Sequence, residues 1–249
     1  MKENKYKQML GTIYTTGSLH VAEMISNSGF NWVMIDMEHS ALSLEDVQEA
    51  LQVFDKKIYR IVRIPGIDEI LIKRILDTGC DGILVPMVKT AQEAARVIQA
   101  SKYPPEGQRS VGLTRAHGYG QDSNYYLSHA NENIHIMLQI EHIEGVKNID
   151  SILKVKGFDS IFIGPYDLSA SMGLIGQVTH PDVRAAIDQI KSKCNEFKVP
   201  YGIYGASPEA LISEIKDGCT YLLCGLDILL FSFALKSTFE KLQELCGNY

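Results

Sequence analysis

The sequence has no CxxC pair; its five cysteines (Cys80, Cys194, Cys219, Cys224 and Cys246) lie scattered in apolar surroundings. An odd, unpaired set argues against a disulfide framework or a thiolate zinc site, and for reduced, buried thiols in a cytoplasmic protein. No apolar run approaches the roughly 20 residues that span a bilayer. The longest, Ile228 to Leu235, is interrupted by Ser232. The polar amino terminus, MKENKYKQML, is not followed by the apolar stretch of a secretory signal. Lysine and arginine form no cluster, and with a net charge of -6 the chain offers a nucleic acid no footprint. Linkers, low-complexity tracts and internal repeats are also missing, so residues 1–249 read as one domain.

What is present is a steady alternation. Candidate strands run Gly11–Tyr14, Asn31–Asp36, Lys57–Arg63, Asp81–Val85, Ile134–Ile140, Ser160–Ile163, Val199–Ile203 and Thr220–Cys224. Amphipathic stretches lie between them, among them Leu44–Phe54, Ile67–Asp77, Ala91–Ala100, Pro181–Phe197 and Pro208–Asp217. Ser43, Thr90 and Ser207 are placed to cap helices, and Gly29, Gly79, Gly157 and Gly218 to end them. Helix, glycine, strand is the αβ turn of a parallel fold. Eight such strands in 249 residues predict a single (β/α)8 TIM barrel, an α/β architecture of about this length. One irregular segment, Tyr103 to about Asn131, interrupts the rhythm; it is read as the fourth βα excursion, rising over the active face. The tail from Asp227 to Leu245 is apolar enough to pack between subunits or to close its own barrel.

Alternation along strands shows where side chains point. It puts Ile134, Ile136, Leu138 and Ile140 toward the helices, and Met137, Gln139 and Glu141 into the barrel. The same rule gathers Trp32, Met34 and Asp36 on one face, with His39 on the following loop, and Tyr59, Ile61 and Arg63 on another. After Ile161-Phe162-Ile163 the chain breaks at Gly164-Pro165 into Tyr166-Asp167, where the glycine suits close backbone approach. Ligands of α/β folds bind at the carboxyl ends of parallel strands. Asp36, His39, Arg63, Gln139, Glu141 and Asp167 converge on that rim. Two carboxylates there, Glu141 and Asp167, with little to neutralise them, suggest a hard divalent cation. Each residue also has a plainer reading: Asp36 as a helix cap, His39 as a surface histidine, Asp167 as the N-cap of a helix through Leu168–Met172.

At these residues the sequence closely resembles the metal-dependent pyruvate aldolases of the HpcH/HpaI type, a family that includes 4-hydroxy-2-oxoheptanedioate aldolase. The resemblance runs from about Gly11 to Phe231. Asp36-Met37-Glu38-His39 matches the family's Asp-x-Glu-His stretch, with Met37 where glycine is common. IVRIPG carries Arg63; GCDGILVPMVKTAQEA and YPPEGQRSVG match the segments that follow. QIE carries Glu141 and FIGPYDLSASMG carries Asp167, the second being a highly specific motif. YGIYGASPEA and LLCGLDILLF complete the pattern.

The resemblance implies a class II aldolase that cleaves a 4-hydroxy-2-oxoacid into pyruvate and an aldehyde. Glu141 and Asp167 would hold Mg²⁺ or Mn²⁺, with Co²⁺ able to substitute. Gln139 and the backbone from Gly164 through Pro165 and Tyr166 to Asp167 would orient pyruvate. Arg63 would stabilise the enolate and His39, oriented by Asp36, would take the hydroxyl proton. Asp77 is a candidate supporting partner, or equally a helix-end surface residue. A homo-oligomer, trimer or hexamer, is implied by resemblance alone. Lys89, the one lysine near a strand end that a Schiff-base aldolase could use, sits in a polar turn. The rivals are a citramalyl- or malyl-CoA-type lyase on the same barrel, a phosphate-binding isomerase, and a non-catalytic barrel acting as a binding module. The aldehyde partner is left open.

Overall fold

Eight parallel strands pair in sequence order and close on themselves, β8 returning to β1, in a computed structural model that describes residues 8–54 and 57–247. The polar residues 1–7 at the start of the MKENKYKQML stretch lie outside the described residues. The strands are β1 (Met9–Tyr14), β2 (Trp32–Asp36), β3 (Tyr59–Arg63), β4 (Gly82–Val85), β5 (His135–Ile140), β6 (Ser160–Ile163), β7 (Tyr201–Gly205) and β8 (Tyr221–Leu226). Helices α1 (Leu19–Asn27), α2 (Leu44–Val53), α3 (Glu69–Asp77) and α4 (Ala91–Ser101) follow the first four strands. Then come α5 (Ser123–Asn133), α6 (Ile143–Lys147), α7 (Ile149–Leu153), α8 (Pro165–Ser171), α9 (Pro181–Phe197), α10 (Ile212–Lys216) and α11 (Asp227–Gly247). The expected (β/α)8 barrel is the observed fold.

Helix starts are set locally. Ser43 Oγ accepts from Asp46 N at 3.2 Å while Ser43 N donates to Asp46 Oδ2 at 2.7 Å, a reciprocal cap. Thr90 and Glu93 repeat it on α4. Such caps stabilise by about 1 kcal/mol each. Ser207 caps more weakly, its Oγ 3.4 Å from Ala210 N. Gly79 ends α3 at φ 80°, a left-handed turn that lets the chain reverse directly into β4.

The core has two layers, as the alternation predicts. Ile134, Ile136, Leu138 and Ile140 pack outward against helices. Trp32, Met34, Ile61, Met137, Phe162 and Leu223 fill the barrel. At the amino-terminal end the filling is aromatic. Trp32 lies 5.8 Å from Tyr221, and His135 stands 5.4 Å from Tyr221 and 5.9 Å from Tyr59. Trp32 Nε1 donates to the Met9 and Leu222 carbonyls. Gly11 makes room for that indole: a Cβ there would fall 2.3 Å from Trp32 Nε1. This aromatic packing fills the floor, and the barrel's own cavity lies at the carboxyl end of the strands.

Three expectations are corrected. The segment from Tyr103 to Asn131 does not rise over the carboxyl end. It follows α4 and so connects a helix back to β5, at the opposite end of the barrel. There Arg115 donates to the carbonyls of Thr78 at 2.7 Å and Leu51 at 3.1 Å, the ends of α3 and α2. Nor is it irregular throughout, since α5 (Ser123–Asn133) lies within it, after a turn kinked at Gly118 and Tyr119, which adopt left-handed φ of 60° and 54°. The thiols are not all buried: Cys246 is exposed, because α11 projects from the barrel. Among the described residues no helix is long and apolar enough to cross a membrane.

Candidate active site

Strand register assembles the site. β2 and β3 pair with Asp36 directly beside Arg63. Arg63 Nε donates to Asp36 Oδ1 at 2.9 Å and Nη2 to Oδ2 at 2.7 Å, a fork-to-carboxylate pair that burial strengthens. The backbone N–H groups of Glu38 and His39 also donate to Oδ1. Burial pushes the Asp36 pKa up, but the Arg63 hydrogen bonds and charge, with those two N–H groups, outweigh it and hold it below the usual carboxylate range. Asp36 is thus an ionised anchor for Arg63. The expected Asp36–His39 side-chain pair is not formed: both Asp36 oxygens are taken by Arg63. The His39 ring is largely exposed at the rim, Nε2 3.8 Å from Glu38 Oε2.

Glu38 is a site residue that the strand pattern did not single out, because it lies beyond the end of β2. Its Oε2 lies 3.3 Å from Arg63 Nε, is buried, and has no hydrogen-bond partner. Burial pushes its pKa up to about 7; Arg63 opposes this, and the charges of Asp36 and Asp167 reinforce it.

Across the barrel, Glu141 is buried at the end of β5. Gln139 Nε2 donates to Glu141 Oε2, and Met87 N donates to Oε1 at 2.7 Å. Met87 makes that bond at φ 57°, a left-handed conformation that costs a residue with a Cβ energy and is kept where it aims a group. Burial raises the Glu141 pKa to about 7 against the Met87 hydrogen bond, and Glu38 adds like charge. Gln139 Oε1 is buried without a partner. Gly164 is needed for closeness, since a Cβ there would meet Glu141 Oε2 at 2.8 Å and Gln139 Nε2 at 3.0 Å. Pro165 opens α8, so Asp167 sits in the first helical turn and is not the N-cap; that position is Gly164. The first-turn N–H groups of Tyr166 and Asp167 have no partner within the helix.

One cavity of about 460 Å³ is lined by Asp36, His39, Arg63, Gln139, Gly164, Pro165, Tyr166 and Asp167 together with an apolar wall, and Glu38 and Glu141 lie beside that lining, Glu38 against Arg63 and Glu141 against Gln139. Lys89 is not among its lining residues; Lys89 N donates to Glu93 in the α4 cap. Asp77 is placed elsewhere. It ends α3 at the amino-terminal side of the barrel, where Arg109 Nη2 donates to its Oδ1 at 2.6 Å.

The chain is similar to known aldolases in sequence and in fold. A 2-keto-3-deoxy-L-rhamnonate aldolase of Salmonella gallinarum is 33% identical over 239 residues, covering 95% of this chain and 89% of that protein. The hydroxypyruvate/pyruvate aldolase of Roseobacter denitrificans is 36% identical over 241 residues, 95% of this chain and 93% of that one. A crystal structure of an HpcH/HpaI aldolase/citrate lyase family protein from Burkholderia cenocepacia superposes with a TM-score of 0.90 at 29% identity, covering 97% of this chain and 96% of that one. The curated relatives are aldolases, carbon–carbon lyases, which bears out the enzyme reading over a non-catalytic barrel. With the family model matching residues 14–230, nearly the whole barrel, the chain belongs to the HpcH/HpaI aldolase/citrate lyase family.

Proposed function

We propose that the protein cleaves, and in reverse forms, a 4-hydroxy-2-oxoacid, giving pyruvate and an aldehyde. The observation that carries this reading is the meeting of Asp36, Arg63, Gln139 and Asp167 around one cavity at the open end of the barrel, with Glu141 buried beside it and hydrogen-bonded to Gln139. Retro-aldol cleavage between C3 and C4 leaves an enolate on the pyruvate half. Arg63, held rigid by Asp36, supplies fixed positive charge where that enolate forms. His39, at the rim, is the group placed to take the C4 hydroxyl proton, directly or through water.

A divalent cation fits the donors present. Among the described residues no three His, Cys, Asp or Glu side chains form a metal cage. In this reading Glu141 and Asp167 would hold the cation, with water and substrate filling the other positions; the Asp167 charge acts on the Glu141 carboxyl. Mg²⁺ and Mn²⁺ accept such a shell, and Co²⁺ substitutes. The oxygens of Glu38 and Gln139 that lack a hydrogen-bond partner, and the Glu38 and Glu141 carboxyls that burial pushes up to about 7, favour a positive charge there. When bound, the cation polarises the keto group as a Lewis acid. Gln139 and the first turn of α8 orient the pyruvate.

We also assign α11 to contact with a second copy of the chain, in a homo-oligomer such as a trimer or hexamer. Its large apolar side chains, among them Phe231, Phe233, Phe239 and Leu242, are exposed. The test of the chemistry is exchange of the pyruvate methyl protons in deuterated water. Exchange that needs Mg²⁺, Mn²⁺ or Co²⁺ supports the reading; no exchange with all three supplied overturns it.

A further inference from the structure

The cavity is chemically divided, and the division follows barrel order. The charged and amide groups (Asp36, Arg63, Gln139, Asp167) come from β2, β3, β5 and the first turn of α8. The remaining arc, β7, β8 and β1, is contiguous in the closed barrel. It contributes Tyr204, Ala206, Leu226 and Thr15, and the start of α11 adds Ile228 and Leu229. Among the described residues of this chain, two lining groups can carry positive charge, Arg63 and His39, and both stand on the polar side.

Resting on the function proposed above, we propose that the aldehyde half of the substrate is uncharged. It sits against the β7–β8–β1 wall, with Tyr204 and Leu226 setting specificity. An anionic tail on this wall would exchange its hydration for apolar side chains and tyrosine rings, and this chain places no cation there to replace the lost water. It would also meet a like charge. Asp227, buried just behind the wall, accepts from Thr15 N at 2.9 Å, Thr16 N at 3.0 Å and Ile228 N at 2.8 Å. Thr15 Oγ1 donates to the same carboxylate at 2.6 Å, so the one hydroxyl of the β1 end is already committed. Arg63 is bound by Asp36 through Nε and Nη2 and flanked by Glu38, which leaves it for the pyruvate half. The polar groups on the aldehyde side are phenols. Tyr204 and Tyr166 lie with ring centroids 6.1 Å apart, an edge that suits a neutral hydroxyl, alkyl or aryl group.

In the condensation direction C3 of pyruvate bonds to the aldehyde carbon, and the carbonyl π pair moves to oxygen. That oxygen takes up one proton, balancing the one lost from the methyl group, so no oxidant or co-reactant is needed.

The test compares pyruvate condensation with pentanal and with succinic semialdehyde, which differ by an ethyl group in place of a carboxylate. The expected kcat/KM for pentanal exceeds that for succinic semialdehyde by about tenfold or more, as an unmatched charge in an apolar site commands. A ratio of one or below overturns the inference. Methyl-proton exchange of pyruvate alone is read in parallel. Exchange that persists while the ratio fails overturns the uncharged aldehyde and leaves the aldolase reading standing; loss of exchange overturns both. Tyr204→Arg gives a second arm: it should lower the pentanal to succinic semialdehyde ratio by roughly tenfold, the scale of one well-placed charge contact. An unchanged ratio removes Tyr204 from the aldehyde wall.

Discussion

Arg63 and Asp36 face each other across neighbouring strands and share two hydrogen bonds, 2.9 and 2.7 Å, with both side chains nearly out of solvent. The fork fixes the guanidinium plane, and so the direction in which Arg63 presents its remaining N–H groups. Asp36→Asn keeps the shape and removes the charge. Its expected effects are a loss of about 3 kcal/mol in urea unfolding, because a buried cation loses its partner, and a fall in kcat of about 100-fold from a misaligned guanidinium. A variant within twofold of the parent kcat would show that Asp36 does not position Arg63.

The pH dependence of the cation-free protein has a definite sign. Glu38 and Glu141 both titrate near 7 in the folded chain, above the 4.5 of a free glutamate. Between those values the unfolded chain has released protons that the folded one retains. Stability therefore falls as pH rises from about 4.5 through 7. Thermal melts in chelator should show that decline, and Glu141→Gln should flatten it. Mn²⁺ should restore stability above pH 7 and do little at pH 5, where protons compete for the same oxygens. Stability that rises with pH across this window, without cation, would contradict the assignment.

Gly164 touches Glu141 where no other residue fits. Gly164→Ala places a methyl 2.8 Å from the Glu141 carboxylate. Displacing a ligand's support typically costs 10- to 100-fold in metal affinity, so Mn²⁺ binding followed by paramagnetic resonance should weaken by about tenfold or more. The barrel itself should stay folded, with an unchanged circular dichroism spectrum. Wild-type Mn²⁺ affinity in this variant would place the cation elsewhere.

What could be read from the residues, and what could not, follows from how local each signal is. Period-two alternation carried Gln139, Glu141 and Arg63 to the rim, and capping residues located α2 and α4, because each rule spans only a few residues. Partner choice is not local. His39 stands three residues from Asp36 in sequence, yet Arg63, on the next strand, is opposite it in register. Alternation also stops where a strand stops, which is why it does not mark Glu38, two residues beyond Asp36, as a half-buried site group. Met87 gave no signal either, since nothing in a methionine announces a left-handed backbone. The side of the barrel taken by Tyr103–Asn131 was legible in principle. The helix at Ala91 precedes it, and a segment after a helix returns to the amino-terminal end.

The helix α11 carries the last prediction. It runs 21 residues, about 31 Å at 1.5 Å per residue, and its main neighbours are the ends of β8 and β1. Beyond Asp227 its side chains are exposed, including Phe231 at 67%, Phe233 at 60% and Phe239 at 60%. A monomer seldom leaves so much contiguous apolar surface to water. A second copy that covers it would gain about 25 cal/mol for each Å² of apolar area removed from solvent. Replacing Phe233 and Phe239 by serine should shift the protein toward monomer in light scattering and lower its thermal midpoint. The parent should show a midpoint that rises with protein concentration, as oligomer-linked stability requires. A parent protein that is monomeric at micromolar concentration would leave α11 without the partner assigned to it.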